Sequence, residues 1–370
     1  MTDGLPPLQR IPADVVALDD YAELSRQHMS AAAWSWLNGG AADETTLRDN
    51  RAAYARIRLG NRILRDMRGG STELSLFGQH FAYPIMLAPV AHQRLVHADG
   101  ELATLLGASA MGAGMLISTQ ASVALEEIAR AAHAPLWFQL YIQPDREFTA
   151  ALVRRAEAAG YQALVLTVDA PVSGVRNREQ RSGFALPAHI ETVNLAGMAG
   201  LPPHTAQAGT SPLFGSPLLA AAPTWQDLDW LRGLTRLPIL LKGVLNPDDA
   251  RQALAHGADG IIVSNHGGRV LDGVPASIDA LPAVVRAVDG AVPVLVDGGI
   301  RRGTDILKAL ALGAQAVLVG RPYMQALAVG GPSGVAHVLH ILRTELEMAM
   351  VLTGCRTLAD IDERVLWGAS

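Results

Sequence analysis

Cysteine is nearly missing from this chain. Cys355 stands alone among 370 residues, so no internal disulfide can form. That fits a reducing compartment, and a cytoplasmic location is the expectation. Charge is also sparse: 18% of residues are charged, the formal net charge is −5, and no basic tract stands out. A nucleic-acid partner is not expected, because binding a phosphate backbone needs clustered Lys and Arg. No run of about 18 apolar residues occurs, so no membrane-spanning helix is expected. The opening "MTDGLPPLQRIPADVV" lacks a basic start followed by an apolar run, which argues against a signal peptide. The 11 histidines show no spacing such as H-x-x-x-H with an acidic partner, so no metal is expected.

What the chain does have is hydrophobic residues, 49% of the total, and a recurring unit. "MGAGMLISTQ" (111–120), "AGYQALVLTVD" (159–169), "HGADGIIVSNH" (256–266) and "LGAQAVLVGR" (312–321) share one form: a glycine, a short link, an apolar run and a polar tip. Amphipathic stretches precede them: "GELATLLGASA", "EFTAALVRRAEAA", "PDDARQALAH" and "GTDILKALA". Glycine suits a helix C-terminus, where a positive φ is needed. An apolar run without alternation suits a parallel strand buried on both faces. Four more strands fit at Pro84–Ala88, Leu136–Tyr141, Pro238–Lys242 and Pro293–Asp297. Eight strands alternating with helices predict an α/β chain folded as a (β/α)8 barrel, a TIM barrel in one domain spanning 1–370. A doubly wound sheet is the alternative, but the first strand ends "LAPVAHQ" with no G-x-G-x-x-G. Residues 1–83 form a short helical extension, with helices expected around 18–27, 29–38 and 43–56. Residues 187–223, after the fourth strand, form a long loop rich in Gly, Pro and Ala, either a mobile excursion or a lid.

A barrel of this kind gathers its active site at the C-terminal ends of the strands. The tips here are Ala88–Ala91, Ser118–Gln120, Gln139 with Tyr141, Thr167 with Asp169, Lys242, Ser264–Arg269, Asp297–Arg301 and Gly320 with Arg321. Almost all are polar, which a barrel built only for stability does not require. "VDGGIRRG" and "VGRP" follow strands seven and eight, where barrels hold phosphate. Glycine lets a backbone approach an anion and arginine can fork onto two oxygens, although two tight turns with solvated arginines would look the same. In "GIIVSNHGGR", His266 sits on what reads as a flexible glycine hinge beside Arg269. It can take a proton from a substrate whose carboxylate the arginine holds, with Asp169 stabilising the imidazolium. A structural histidine is the plainer alternative.

The ordered motifs "FQLY", "LTVDAP", "LPILLKGV", "SNHGGRVLDG", "VDGGIRRGTDILKALALGA" and "GRP" resemble the FMN-dependent 2-hydroxy acid oxidases and dehydrogenases, over nearly the whole chain. The resemblance implies roles. FMN phosphate would lie on Gly299, Arg301, Gly320 and Arg321. Pro89, Val90, Ala91, Ser118, Gln139 and Thr167 would contact the isoalloxazine ring, and Lys242 its N1–C2=O edge. Ser264 and Asp297 belong to the same cofactor set. His266 would be the base with Asp169 behind it, Arg176 and Arg269 would bind the substrate carboxylate, and Tyr141 would hydrogen-bond the substrate.

Two departures bear on the substrate. Trp36 stands where many members carry a tyrosine, although it could equally be core packing, and Gln120 stands where glycolate oxidases carry tryptophan. Both favour a larger, aryl acid such as mandelate, as does the likeness of "APVAHQRL" and "GFALP" to the 4-hydroxymandelate oxidase branch. Ala91 resembles the oxidases, so O2 is the expected acceptor and H2O2 the product; a quinone is the alternative. A homotetramer or homo-octamer is what the family implies. An FMN-binding isomerase and a non-catalytic binding protein are the readings from other classes.

Overall fold

The computed structural model describes residues 4–201 and 209–368. Its ten strands are β1 (Leu74–Leu76), β2 (Gln79–Phe81), β3 (Ile85–Leu87), β4 (Gly114–Ser118), β5 (Leu136–Leu140), β6 (Leu164–Thr167), β7 (Ile239–Val244), β8 (Gly260–Val263), β9 (Val294–Asp297) and β10 (Ala316–Val319). Strands β3 to β10 pair in parallel and in chain order, and β10 closes on β3. The closure rules out the open doubly wound sheet and gives the (β/α)8 barrel.

Neighbouring side chains on a strand face opposite ways, and here the two faces bury in different places. Ile85, Met115, Phe138, Leu166, Leu241, Ile261, Val296 and Val317 face outward into the layer beneath the helices. Met86, Leu116, Trp137, Val165, Leu240, Ile262, Leu295 and Leu318 fill the barrel interior. Two residues further along, the same inward face ends in Ser118, Gln139, Thr167, Lys242, Ser264 and Asp297. The triplets "LIS", "WFQ", "VLT", "LLK", "IVS" and "LVD" are therefore apolar plug, outer core, polar rim. The register aligns this rim, pairing Ser118 with Gln139 and Thr167 with Lys242.

The hairpin β1–β2 is an element the sequence reading missed. It adds Leu76 and Phe81 to the interior cluster, with Phe77 packed against it. Its turn puts Phe77 at φ 51° and Gly78 at φ 73°, the positive pair that a tight hairpin needs. Phe77 meets Trp137 edge-on at 5.7 Å, and Gln79 Oε1 accepts from Trp137 Nε1 at 2.8 Å. Gln79→Ala strands that buried indole N–H, and a loss of about 1–2 kcal/mol in urea denaturation is expected.

The N-terminal helices lie at Leu18–His28, Ala31–Asn38 and Thr45–Arg56, close to the expected spans. Residues 202–208 of the long loop lie outside the described residues. The described part is partly anchored: Ile190 and Asn194 are buried, and Asn194 Oδ1 accepts from Leu125 N at 3.0 Å. None of its described residues lines the main cavity, so the structure gives no support to a lid there. Among the described residues, no helix is long and apolar enough to cross a membrane.

Candidate active site

A cavity of about 800 Å3 opens over the C-terminal rim of the barrel. Of the predicted site residues, it is lined by Pro89, Val90, Ala91, Ser118, Gln139 and Thr167, by Lys242, Asp297, Gly299, Arg301, Gly320 and Arg321, and by Trp36, Gln120, Tyr141, Arg176, His266 and Arg269. Asp169 and Ser264 are not among its lining residues; each is bonded to one that is, Asp169 to His266 and Ser264 to Lys242.

At the end of the cavity lined by Arg301 and Arg321, buried positive charge is only partly compensated, with Arg301 Nε 3.8 Å from Asp19 Oδ1. Burial, with Arg269 and Arg301 nearby, pulls the Arg321 guanidinium down to about 9; burial and Arg51 pull Arg301 down to about 10. A guanidinium does not give up its proton in a protein, so both remain buried positive charges at this end of the cavity. Arg321 is held rigid: Nε donates to Leu37 O at 3.0 Å, Nη1 to Gly267 O at 2.8 Å and Nη2 to Gly39 O at 2.8 Å. Gly298 and Gly299 have φ of 96° and 84°. Glycine at 299 has a packing reason that the sequence did not show. A Cβ there would lie 2.0 Å from the Asn50 carbonyl oxygen, so helix Thr45–Arg56 by itself requires glycine at this position. At Gly320 a Cβ would meet Ala88 Cβ at 3.7 Å and Val90 Cγ2 at 3.9 Å, both ordinary contacts.

At the centre, Lys242 Nζ donates to Ser264 Oγ at 2.8 Å and pairs with Asp297 Oδ2 at 2.9 Å. Burial alone would lower the ammonium, but Asp297 and Asp169 outweigh it and raise Lys242 above its ordinary value. The other oxygen of Asp297, Oδ1, is buried with no partner among the described residues. Gln139 spans the rim, accepting from Ser118 Oγ at 3.2 Å and donating to Thr167 Oγ1 at 3.1 Å.

His266 is not on a flexible hinge. His266, Gly267 and Gly268 all have positive φ, at 57°, 63° and 73°. Gly268 N donates to Asn265 O at 2.9 Å, and Asn265 exchanges amide hydrogen bonds with Asn50 at 2.9 and 2.8 Å. Cβ atoms at 267 and 268 would strike Arg321 and Leu47. The loop is locked by packing from the N-terminal helices, which local sequence does not show. His266 Nδ1 lies 3.0 Å from Asp169 Oδ1. Burial would raise the Asp169 carboxyl, but His266 and Lys242 more than offset it and hold it below the ordinary range. An ionised Asp169 accepts a hydrogen bond from Nδ1–H, which leaves the free lone pair of the neutral imidazole on Nε2.

Arg269 Nη1 donates to Trp36 O at 2.6 Å and Gly39 O at 3.0 Å. The structure brings Arg269 and Arg176 together on one acceptor missed in the sequence, Glu179: Arg269 Nη2 reaches its Oε1 at 3.0 Å and Arg176 Nη1 at 3.3 Å. Also missed were Phe184, stacked on Trp36 at 5.9 Å and 22°, and His92, 6.3 Å from Trp36. Trp36 thus belongs to both the core and the cavity wall. Burial pushes the Tyr141 hydroxyl up to about 12.

The comparisons agree with this geometry. A model of the family described as FMN-dependent dehydrogenase matches residues 25–368. An L-lactate oxidase of Nostoc sp. is 50% identical over 357 residues, 95% of this chain and 98% of that protein. The 2-hydroxyacid oxidase 1 of Homo sapiens is 44% identical over 356 residues, 95% of this chain and 96% of that protein. A crystal structure of mandelate oxidase with (S)-2-phenylpropionate superposes with a TM-score of 0.85 at 43% identity, covering 95% of this chain and 97% of that one. The buried guanidinia of Arg301 and Arg321, the Asp297 oxygen without a partner among the described residues and the rim of polar strand ends fit a bound flavin mononucleotide, and the chain belongs to the FMN-dependent dehydrogenase family of oxidoreductases.

Proposed function

We propose that the protein oxidises an aryl 2-hydroxy acid of the mandelate kind to the 2-oxo acid, with O2 as the final acceptor and H2O2 as its product. The observation that carries this is one cavity holding a carboxylate-oriented base, two guanidinia and an aromatic wall. FMN supplies the two-electron acceptor. Gly299, Arg301, Gly320 and Arg321 would hold its phosphate; Lys242 and Asp297 would sit beside the rest of the cofactor with Pro89–Ala91, Ser118, Gln139 and Thr167.

The chain's own residues then do four things. Arg269 and Arg176 bind the substrate carboxylate, with Arg176 Nε buried and unpartnered among the described residues. Trp36 and Phe184 take the apolar side chain, where an aryl ring gains both buried area and stacking. Gln120 is tied to this wall through its carbonyl, which accepts from His92 N at 3.1 Å. His266 Nε2 accepts a proton as the substrate loses two electrons, and Asp169 stabilises the resulting imidazolium.

Tyr141, neutral below pH of about 12, donates to the substrate and favours the charge that develops on it. Tyr141→Phe is expected to lower kcat about 10- to 100-fold, as loss of one such donor does, with FMN content unchanged. Wild type should show no alkaline loss attributable to this hydroxyl below about pH 11.

The test is an anaerobic visible spectrum of the holoenzyme before and after racemic mandelate. Bleaching of the oxidised flavin bands, reversed by air with release of H2O2, is the expected result. A spectrum that does not bleach with mandelate but does with lactate or glycolate would remove the aryl assignment. Bleaching that air does not reverse would remove O2 as acceptor.

A further inference from the structure

We infer that Glu179 sets the charge of the substrate-carboxylate site, tuning it to acids that carry a single negative charge. The inference rests on the proposal that Arg176 and Arg269 bind the substrate carboxylate.

Arg176, Glu179 and Arg269 all line the cavity. Glu179 Oε1 is shared by Arg269 Nη2 at 3.0 Å and Arg176 Nη1 at 3.3 Å, and its side chain is only 14% exposed. Burial, and after it Arg176, pull the Arg269 guanidinium below its ordinary value, and Glu179 opposes them. Lys242 is paired with Asp297 and Arg178 with Glu44, and Asp169 is bonded to His266. The group Arg176, Glu179 and Arg269 itself carries two positive charges and one negative, which leaves this group one net positive charge to meet an incoming anion. Donors also remain for it, because Arg176 Nε is buried with no partner among the described residues.

The same residue is placed to brace the wall. Phe184 N donates to Glu179 O at 3.1 Å, and Phe184 stacks on Trp36. That backbone contact survives any side-chain replacement. Side-chain variants thus separate charge from bracing: glutamine keeps an acceptor and removes the charge, and aspartate keeps the charge on a shorter arm.

Removing the negative charge should favour any anion, and a dianion more than a monoanion, because the Coulomb term scales with the ligand's charge. The probes are phenylacetate and phenylmalonate, which lack the 2-hydroxyl and are not oxidised, titrated into holoenzyme at pH 7.5 by calorimetry. Glu179→Gln is expected to tighten phenylacetate about tenfold and phenylmalonate about a hundredfold, so that the ratio of the two affinities moves about tenfold. Glu179→Asp should leave the ratio at its wild-type value. FMN absorbance and the unfolding midpoint certify each variant as folded holoenzyme. An unchanged ratio in Glu179→Gln, whether both affinities hold or both fall equally, would overturn the inference and leave Glu179 a brace. Wild type that binds neither anion, while Arg269→Leu behaves identically, would overturn the carboxylate-site reading itself and the inference with it.

Discussion

Replacing His266 by asparagine is expected to slow flavin reduction by the hydroxy acid about 10³-fold, the usual worth of a positioned general base. Asparagine is the right substitute because His266 sits at φ 57°, a conformation that asparagine tolerates better than most residues. The backbone, and with it the Gly267 carbonyl that holds Arg321, should stay in place. FMN content should therefore match wild type, and the loss should appear in the reduction rate measured anaerobically by stopped flow. A rate within tenfold of wild type would remove His266 as the base. Asp169 gives the same dyad a pH signature. Its carboxyl is held below the ordinary range, so its stabilising contribution is complete above a pH of about 4 and is lost as the pH falls through the lower folded value. The difference in stability between wild type and Asp169→Asn should narrow on acidification, as read from urea midpoints against pH.

Lys242→Met carries the largest expected cost in stability. Lys242 is 4% exposed and Asp297 7% exposed, and they pair at 2.9 Å at the top of the barrel. Methionine matches the length of the stem but leaves Asp297 with no countercharge, and Oδ1 already has no partner among the described residues. Removing one member of a buried pair costs about 3–5 kcal/mol, because the remaining charge stays out of water. Urea denaturation of the apoprotein should show that loss. Lys242→Met combined with Asp297→Asn should recover part of it, since the double variant no longer strands the Asp297 charge. Equal stability of the single variant and wild type would mean that water reaches Asp297.

Much of this architecture was legible along the chain. The repeated glycine, apolar run and polar tip marked the barrel because a parallel strand must be apolar on both faces and a helix must end before it. The rim was legible for the same reason: a polar residue two positions beyond an inward apolar one shares its face, and "WFQ" and "LLK" show this without coordinates. The hairpin at 74–81 was legible in principle from "LSLFGQHF", but Phe77 at a positive φ is uncommon and is held by packing on Trp137 and the interior cluster, which only the fold supplies.

Other properties belong to the tertiary structure. Nothing in "SNHGGR" says that its glycines are rigid; the rigidity comes from Asn50, Leu47 and Arg321, far away in sequence. Glycine at 299 is demanded by the carbonyl of Asn50. Glu179 reads as one more charge on a short helix until folding sets it between Arg176 and Arg269, 90 residues apart in the case of Arg269. Local sequence determined which residues face the barrel axis, because strand periodicity is a property of neighbouring residues. Only the closed barrel and the helices laid over it decided which charges meet, because electrostatic partners are chosen by distance in space.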